Sequence, residues 1–336
     1  MRIVFTHLPG MGSFIDHIVK HFQSTGHDVR VVVGGDSRPI QEAIDWCDLL
    51  WLEWCDRLTA EILTKLKPMN KRVMCRLHSF EAFEGFPKAI GLPMNMIDDL
   101  IFVAPHIQRI VRESFPDIDR LCPKQHIVPN GIDVDKFALA PERPEHRIGY
   151  LGYINGKKGG DILLPAFEHI VRATMLTHAS ISLTVAGTIQ EKLLAEYFTH
   201  YTERSGLIHP GKPAAVRNFR MVGWVDNVVD FVNDMRYILN TSNIEASPVG
   251  LMEAMSTGCI PLIHSFIGSD RMFPREWIWH SFDELVDRLN DDTPIETYRQ
   301  FIVDNYSADL QLARLDSIIK NGGTTDEHIR TFPNND

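Results

Sequence analysis

The sequence predicts an α/β protein of two domains, each built on a parallel sheet with crossover helices. Apolar strand patterns alternate with helical periods almost from the first residue, which is typical of parallel strands joined through helices. The scheme occurs twice, on either side of a charged segment with two prolines at residues 138–146. A chain of 336 residues is also long enough for about two domains that each bury a core.

Each domain is expected to contain five strands separated by helices. In the first half the apolar segments are residues 3–7, 29–33, 49–54, 72–77 and 100–104. In the second half they are residues 148–152, 181–186, 221–225, 237–240 and 259–263. We therefore expect a first domain at residues 1–143 and a second domain at residues 144–305.

Helical patterns continue in the C-terminal part of the chain. After Pro294 two of them remain, at about residues 295–305 and 308–320, and we expect residues 306–320 to form a separate final helix. Residues 321–336 lack apolar periodicity, so a mobile tail is expected there.

The composition is that of a soluble globular protein, with 44% hydrophobic and 23% charged residues. No apolar run is long enough to span a bilayer, and Met1 leads directly into a strand, so neither a membrane span nor a signal peptide is expected. The five cysteines form no C-x-x-C pair, which is typical of reduced core residues in a cytoplasmic protein. They are Cys47, Cys55, Cys75, Cys122 and Cys259.

The charge distribution argues against a nucleic-acid partner. Of the net charge of −10, residues 1–143 carry −2 (17 Lys and Arg against 19 Asp and Glu) and the rest carry −8 (17 against 25). Neither half has the basic excess of a nucleic-acid surface. Local basic groups are interpreted as solvated helix faces, with an anionic acceptor or at most a peripheral membrane contact as the alternative. These groups are Lys65, Lys67, Lys71 and Arg72, and Arg109 with Arg112.

The segment SNIEASPVGLMEAMSTGCIPLI, residues 242–263, carries the clearest chemical signal. Ser247 suits a helix N-cap and Pro248 the first helical position, so a helix is predicted to start there and to end at Gly258. The first amides of such a helix have no partner inside it, and a diphosphate could bind to them. These amides belong to Val249, Gly250 and Leu251, and the missing side chain of Gly250 would let a ligand come close.

Two glutamates flank this helix start, eight positions apart. Glu253 lies inside the helix, where it can accept hydrogen bonds from paired hydroxyls such as those of a ribose. Glu245 precedes the helix and faces what lies beyond the phosphates. The spacing alone is weak evidence, because an acidic chain of this size should contain such a pair about once by chance. Its place at a helix start makes it specific, and the segment therefore predicts a sugar-nucleotide site.

This segment resembles the E-x7-E motif of retaining GT-B glycosyltransferases, family 4 in particular. Three further stretches agree with that family in their order along the chain. VPNGIDVDKF (residues 128–137) is similar to the end of the family's first domain, and YLGYINGKKGGDILLPAF (150–167) is similar to the phosphate-binding opening of the second. FRMVGWV (219–225) resembles the strand before the base-binding loop. The resemblance covers the chain to about residue 320.

The resemblance implies two Rossmann-like domains that face a cleft, with the C-terminal helix crossing back to the first domain. It also implies transfer of a sugar from a nucleotide diphosphate donor, UDP- or GDP-linked, to a hydroxyl acceptor with retention of configuration. Lys158 holds the family's phosphate-binding lysine position. Tyr153 stands where the family usually has arginine, so Lys157 or a residue from elsewhere must substitute for that cation.

Two features of the first half match donor-binding positions of the family. His78 follows the strand at residues 72–77, and in open parallel sheets ligands bind beyond the carboxyl ends of strands. The family often has a histidine here that contacts the donor sugar or the departing phosphate, and a structural hydrogen bond is the alternative. Gly10 and Gly12 lie where the family's glycine-rich loop comes near the donor phosphates. Without a third glycine in register, the loop argues against a dehydrogenase.

Several other residues have a simpler interpretation. Asp133 and Asp135 spell D-x-D, a metal-binding signature of another transferase class, but they lie in the loop that ends the first domain and are interpreted as structural. Glu53 lies inside an apolar strand and needs a partner that the sequence does not name. Glu81 and Glu84 are weak candidates for holding an acceptor hydroxyl. The tryptophans interpreted as core or interface residues are Trp51, Trp54, Trp277 and Trp279.

The sequence thus predicts a transferase that needs neither a metal ion nor a cofactor. Glu245 and His78 are expected to act at the donor sugar, and Lys158 and Glu253 are expected to bind the donor. Retention leaves two routes open, attack from the face of departure or a double displacement with a carboxylate nucleophile. The alternative functions are a nucleotide-sugar-binding GT-B protein without catalysis, and a GT-B phosphorylase or epimerase.

Overall fold

The computed structural model describes residues 1–66, 68, 70–140, 142–174, 181–205 and 218–321. Within these ranges the chain forms two compact units, Met1–Gly131 with residues 309–321, and Ile132–Ala308. The first unit ends before residue 143, because Ile132 and Phe137 belong to the core of the second. The basic residue Lys67 and the expected tail beyond residue 321 lie outside the described residues.

The first unit contains one sheet of six parallel strands. They are β1 (Arg2–His7), β2 (Asp28–Val33), β3 (Leu49–Glu53), β4 (Arg72–Leu77), β5 (Asp99–Phe102) and β6 (Gln125–Ile127). The order across the sheet is β2-β1-β3-β4-β5-β6. The five predicted strands are confirmed within a few residues at their ends. β6 was not predicted, because three residues are too few to show an apolar period.

Short helices connect these strands. They are α1 (Asp16–Ser24), α2 (Ser37–Trp46), α3 (Arg57–Glu61), α4 (Ser79–Phe83), α5 (Phe86–Ala89), α6 (Pro105–Ser114) and α7 (Ile118–Leu121). A π-helical turn at Ile62–Leu66 follows α3, and a 3-10 turn at Met94–Met96 precedes β5.

The second unit repeats the architecture with another six-stranded parallel sheet. Its strands are β7 (Arg147–Leu151), β8 (Ser182–Ala186), β9 (Phe219–Gly223), β10 (Tyr237–Asn240), β11 (Ile260–His264) and β12 (Ile278–Trp279). The order is β12-β11-β10-β7-β8-β9. The sequence again predicted five of the six and missed β12, which has only two residues.

Six helices of the described residues accompany this second sheet. They are α8 (Gly160–Thr174), α9 (Lys192–Ser205), α10 (Val228–Asn233), α11 (Val249–Ser256), α12 (Phe282–Asp287) and α13 (Ile295–Tyr306). Single 3-10 turns lie at Ser269–Arg271, Arg275–Trp277 and Arg288–Asn290.

The last helix, α14 (Ala308–Asn321), belongs to the first unit. Its Leu315 and Ile318 are buried in the same apolar cluster as Phe5 of β1. Arg72 at the start of β4 donates to the carbonyls of Ile318 and Ile319, each at 2.8 Å. A guanidinium on the last carbonyls of a helix satisfies acceptors that have no partner within the helix. The C-terminal helix therefore returns to the first sheet.

Each sheet changes its winding direction once. In the first sheet the chain moves from β1 outward to β2 and then returns to β3 on the other side of β1. In the second it moves from β7 through β8 to β9 and returns to β10 beside β7. Ligands of doubly wound sheets bind at the carboxyl ends of the strands where this reversal occurs. The topology thus marks two places, between β1 and β3 and between β7 and β10.

The cysteine prediction agrees with the structure as far as burial and pairing are concerned. All five cysteines are buried and none forms a disulfide. In the part of the chain that the structure describes, no helix combines the length and the apolar character needed to cross a membrane.

Candidate functional site

A recess of about 360 Å³ lies at the reversal point of the second sheet. The ends of β7 and β10 form its floor, and the loop before α11 and the first residues of α11 form a wall. Five predicted site residues meet here: Lys158, Glu245, Val249, Gly250 and Leu251. The polar side chains of Tyr150, Asn240 and Ser242 also line the recess, and none of them was predicted as a site residue.

The helix at this recess starts one residue later than expected. α11 begins at Val249, and Pro248 is its N-cap. The Oγ of Ser247 is buried without a hydrogen-bond partner among the described residues, so the predicted serine cap is wrong. The Val249 N–H donates to the Ser247 carbonyl at 2.9 Å, because the chain makes a tight turn before the helix.

The next two amides of α11 remain candidates for anion binding. Within the described residues no hydrogen bond engages the N–H of Gly250 or of Leu251. Unpaired amides in the first turn of a helix favour a negatively charged ligand. A Cβ on Gly250 would lie 3.1 Å from Leu151 Cδ2 and 3.3 Å from its carbonyl oxygen. The glycine therefore allows α11 to pack closely on β7, which differs from the expected role of admitting a ligand.

Lys158 and Glu245 are paired with each other in this recess. Lys158 Nζ lies 2.5 Å from Glu245 Oε1, and Ser242 Oγ donates to the same oxygen at 2.8 Å. The Glu245 side chain is 5% exposed, whereas the Lys158 side chain is 29% exposed. The sequence had placed these two residues on different parts of a ligand. Their pairing means that an anionic ligand must compete with Glu245 for the lysine.

Two hydrogen-bonded loops hold Lys158 in place. Its N–H donates to Asn155 Oδ1 at 2.9 Å, which fixes the turn before α8. The carbonyl of Lys157 accepts from the N–H groups of Asn243 and Ile244 at 3.0 and 3.2 Å. The loop after β7 is thus joined to the loop that carries Glu245.

Glu253 lies outside the lining of the recess, one turn further along α11. Burial raises the pKa of its carboxyl to about 7, and the charge of Lys136 opposes this only in part. The normal pKa of such a group is 4.5. A carboxyl that loses water without gaining enough donors resists ionisation, and ligand hydroxyls could supply the missing hydrogen bonds.

The position of the missing family arginine is aromatic and exposed. Tyr153 follows β7, and its ring lies 5.8 Å from that of Trp224, which follows β9. The two residues are 45% and 64% exposed. The Tyr153 carbonyl accepts from the Tyr150 hydroxyl at 3.0 Å, so the backbone here is fixed while the ring faces solvent.

The reversal point of the first sheet is packed with side chains. Gly10 has φ 79°, and a Cβ on Gly12 would lie 2.6 Å from the His7 ring. Trp54, after β3, donates from Nε1 to the Met11 carbonyl at 2.9 Å. Turn geometry and close packing therefore already account for both glycines of this loop. Their expected contact with donor phosphates stays a prediction.

His78 is 4% exposed and lies directly after β4, as the N-cap of α4. Its Nε2 is 2.9 Å from Glu53 Oε1, and its ring stacks on Trp54 with centroids 4.0 Å apart. Glu53, for which the sequence named no partner, also accepts from Arg76 and Trp51. A structural hydrogen bond of His78 was the stated alternative, and the structure contains one.

Two acidic expectations in the first half have different outcomes. Burial raises the pKa of Glu81, and its carboxyl accepts from the Cys55 N–H at 2.9 Å and the His78 N–H at 3.3 Å. Glu81 is therefore wrong as an acceptor ligand, because it faces inward. Asp133 Oδ1 accepts from the Lys136 N–H at 2.9 Å in a turn, as a structural loop residue would. In the described ranges no group of three or more His, Cys, Asp or Glu could hold a metal ion.

Similarity to known proteins is partial in sequence and extensive in structure. No family model matches the chain. The capsular polysaccharide biosynthesis glycosyltransferase CapH of Staphylococcus aureus is 26% identical over 142 residues. This stretch is 42% of the chain and 37% of that relative, so well under two thirds of the relative's length is matched.

Solved structures cover nearly the whole chain. HepE of Anabaena, in complex with UDP and glucose, has a TM-score of 0.72 at 12% identity, over 95% of this chain and 99% of that chain. The lipopolysaccharide outer core galactosyltransferase WaaB, in its apo form, has a TM-score of 0.67 at 12% identity, over 96% and 99%. Sucrose-phosphate synthase of Thermosynechococcus elongatus has a TM-score of 0.71 at 11% identity, over 96% and 98%.

These likenesses agree with the two six-stranded parallel sheets. The chain has the GT-B fold, with two Rossmann-like domains. At such low identity the likeness concerns the fold, and a fold can carry more than one function.

Proposed function

We propose that the protein is a metal-independent, retaining glycosyltransferase of family 4 that uses a nucleotide diphosphate sugar. One observation carries the proposal. The recess at the reversal point of the second sheet combines Lys158 with the open amides of Gly250 and Leu251, and Glu253 follows one turn further along the same helix. The partial likeness to CapH, whose name describes a glycosyltransferase, supports the same class.

The donor would bind along the start of α11. The diphosphate accepts from the amides of Gly250 and Leu251 and from Lys158 Nζ, which supplies the positive charge. The ribose hydroxyls donate to Glu253, and this provides the hydrogen bonds that the buried carboxyl lacks. The sugar then lies toward Glu245. HepE, whose structure contains UDP and glucose, supports a UDP-linked donor. A GDP-linked donor is the alternative.

The chemistry that fits best is attack from the face of departure. The bond from the anomeric carbon to the diphosphate breaks, the acceptor oxygen bonds to that carbon, and the acceptor proton passes to the leaving phosphate oxygen. Lys158 and the helix amides stabilise the charge that grows on the diphosphate. Glu245 already accepts from Lys158 and Ser242, and such a carboxylate is a poor nucleophile, which argues against double displacement. We propose a glycan or glycolipid hydroxyl as the acceptor.

A second function is supported by two observations. Lys158 is neutralised by Glu245, and Tyr153 occupies the place of the family's arginine. Both reduce the positive charge available to a diphosphate. A protein that binds nucleotide sugars but does not transfer the sugar is therefore the alternative.

Slow hydrolysis of the donor separates the two functions. The protein is incubated with UDP-glucose, UDP-galactose or GDP-mannose, each labelled in the sugar, and free sugar and nucleoside diphosphate are followed. A transferase should release sugar slowly to water from one donor. A donor that binds but is never cleaved would favour the binding protein.

The same assay tests metal independence. We expect activity to be unchanged in EDTA, because Lys158 and the helix amides stabilise the negative charge of the diphosphate in place of a metal ion. Loss of turnover in EDTA with recovery on adding manganese would contradict this part of the proposal.

A further inference from the structure

Of the described residues that line the recess of the second sheet, two have charged side chains, and these are bonded to each other. Lys158 Nζ lies 2.5 Å from Glu245 Oε1, so the two charges cancel inside the recess. The first residues of α11, among them Gly250 and Leu251, line the same recess. A phosphate that binds at the start of α11 therefore meets a lysine that already has an anionic partner.

Other hydrogen bonds already join the two loops that carry this ion pair. Asn243 Nδ2 donates to the Gly156 carbonyl at 3.1 Å, and Thr241 Oγ1 donates to the Lys158 carbonyl at 3.0 Å. Neither bond uses the Lys158 ammonium or the Glu245 carboxylate. The loops are thus held together by bonds that remain when the ammonium moves, and the pair is not needed to join them.

Glu245 has a second donor that does not depend on the lysine. Ser242 Oγ donates to Glu245 Oε1 at 2.8 Å and accepts from Asn240 Nδ2 at 3.2 Å. The Ser242 N–H donates to Asn240 Oδ1 at 3.3 Å, which turns Nδ2 toward the serine hydroxyl. An amide N–H only donates, so the serine hydrogen is directed to the carboxylate. Glu245, which is 5% exposed, is therefore held in place when Lys158 leaves, but it then lacks a cation, which costs free energy.

We propose that the Lys158–Glu245 pair is an autoinhibitory contact that the donor diphosphate opens by taking the lysine. This rests on the proposed function, in which the diphosphate binds at Lys158 and the start of α11. In the empty site Glu245 holds the ammonium. When a diphosphate binds, the ammonium turns to it, and the carboxylate, kept in place by Ser242, becomes available to the sugar. After transfer, the return of Lys158 to Glu245 favours release of the nucleoside diphosphate.

Removing the carboxylate is therefore expected to tighten the binding of phosphate ligands. Glu245→Gln keeps an oxygen that can accept from Ser242 but releases Lys158. Inorganic pyrophosphate is the first probe, because it contains neither ribose nor sugar, and UDP is the second. We expect Glu245→Gln to bind both about tenfold or more tightly than the wild type does, and by a similar factor, because the gain arises at the phosphates. Calorimetric titration in EDTA measures this.

Two controls separate release of the lysine from a change in net charge. Glu276→Gln makes the same change in net charge at an exposed residue outside the recess lining, and it should bind as the wild type does. Glu245→Gln combined with Lys158→Gln removes both charges of the pair. This double variant should bind pyrophosphate about tenfold or more weakly than Glu245→Gln alone, because it has no lysine to release. Thermal unfolding confirms that each variant is folded.

Nitrogen NMR of lysine-labelled protein follows the exchange in the wild type, without a variant at Glu245. The side-chain signal of Lys158 is assigned as the one missing in Lys158→Gln. Saturating pyrophosphate should move this signal, because the ammonium exchanges a carboxylate partner for a phosphate. A signal that stays in place while pyrophosphate binds would overturn the proposal.

Two results of the titrations would also overturn it. One is equal or weaker binding of pyrophosphate by folded Glu245→Gln, since Glu245 would then orient Lys158 for the ligand instead of withholding it. The other is equal binding by Glu245→Gln and the double variant, because the gain would not come from the lysine. If neither probe bound to any variant, the proposed function would fail together with the autoinhibitory contact. If UDP bound to the wild type and Glu245→Gln did not tighten it, only the autoinhibitory contact would fail.

Discussion

The two sheets have equivalent reversal points that are filled in opposite ways. At the first, between β1 and β3, the Trp54 indole N–H donates to the Met11 carbonyl, and the Trp54 ring stacks on His78. At the second, between β7 and β10, there is a recess of about 360 Å³ with a partly exposed lysine, Lys158. The same topology thus gives one place that is filled by fixed side chains and one that is an open recess.

The two regions also differ in how burial affects the pKa of their carboxyl groups. Glu53 is fully buried, yet Arg76 and His78 lower its pKa against the effect of burial. Glu253 is less buried, but burial raises its pKa to about 7 because only Lys136 opposes it. A carboxylate with all its donors supports structure, and one without them gains most from a ligand that supplies donors. The difference supports the proposal that the donor binds in the second region.

The largest effect is expected from one residue of each region. Glu245→Ala and His78→Ala should each lower kcat by about a hundredfold or more without weakening donor binding by more than a few fold, because both proposed sugar contacts would strengthen as charge grows on the anomeric carbon. Steady-state kinetics beside calorimetric donor binding measures this. Ser242→Ala, which removes one hydrogen bond to Glu245, is the matched control and should have a smaller effect. A variant that loses binding but keeps kcat would move that residue out of the catalytic group.

Within the second region, adjacent lysines provide a sharper test. Lys158→Ala should lower kcat/KM by at least about tenfold more than Lys157→Ala, equivalent to roughly 1.4 kcal/mol. Lys158 lines the recess, whereas the bonds of Lys157 to Asn243 and Ile244 come from its carbonyl and survive the substitution. Equal losses in the two variants would show that the phosphate contact has been assigned to the wrong lysine.

A smaller effect is expected where the family's arginine is missing. Tyr153→Arg should tighten binding of the nucleotide sugar by up to about tenfold, because a charge-assisted hydrogen bond to phosphate is worth about 1.5 kcal/mol. Tyr153 is 45% exposed, so the longer side chain has room. Tyr153→Phe is the control and should bind as the wild type does. If Tyr153→Arg bound no more tightly, position 153 would lie away from the diphosphate.

The sequence predicted the long apolar strands well, because each carries enough buried residues to show its period. It missed β6 and β12, whose pairing depends on neighbouring strands rather than on their own pattern. The helix at residues 249–256 was predicted one residue too early. The Val249 N–H donates to the Ser247 carbonyl in a tight turn before the helix, and residue preferences alone do not predict that turn.

The contacts of the candidate site were the part that the sequence could not supply. Lys158 and Glu245 are 87 positions apart, and their pairing depends on how two loops meet at the sheet edge. The partner of Glu53 is Arg76, which is set by the register of β3 and β4. Residue types at a strand end were enough to select candidates, but strand register and loop packing decide which of them touch.

The claim that α11 holds the donor is tested most directly by the pH dependence of donor affinity. UDP-glucose and GDP-mannose are titrated by calorimetry from pH 5.5 to 8.5, and the tighter one is compared in the wild type and in Glu253→Gln. In the proposed donor complex ionised Glu253 accepts from the ribose, and burial raises the pKa of Glu253 to about 7. Wild-type affinity should therefore fall below pH 7 by up to about tenfold per pH unit.

Glu253→Gln should bind ten- to a hundredfold more weakly at pH 8.5, for a lost hydrogen bond of roughly 1.5 to 3 kcal/mol, and should show no pH dependence. The raised pKa costs the wild type stability as the pH rises from about 4.5 through 7, so the variant should be at least as stable at pH 8.5. A wild type and a folded Glu253→Gln with equal affinity at pH 8.5 would contradict the account.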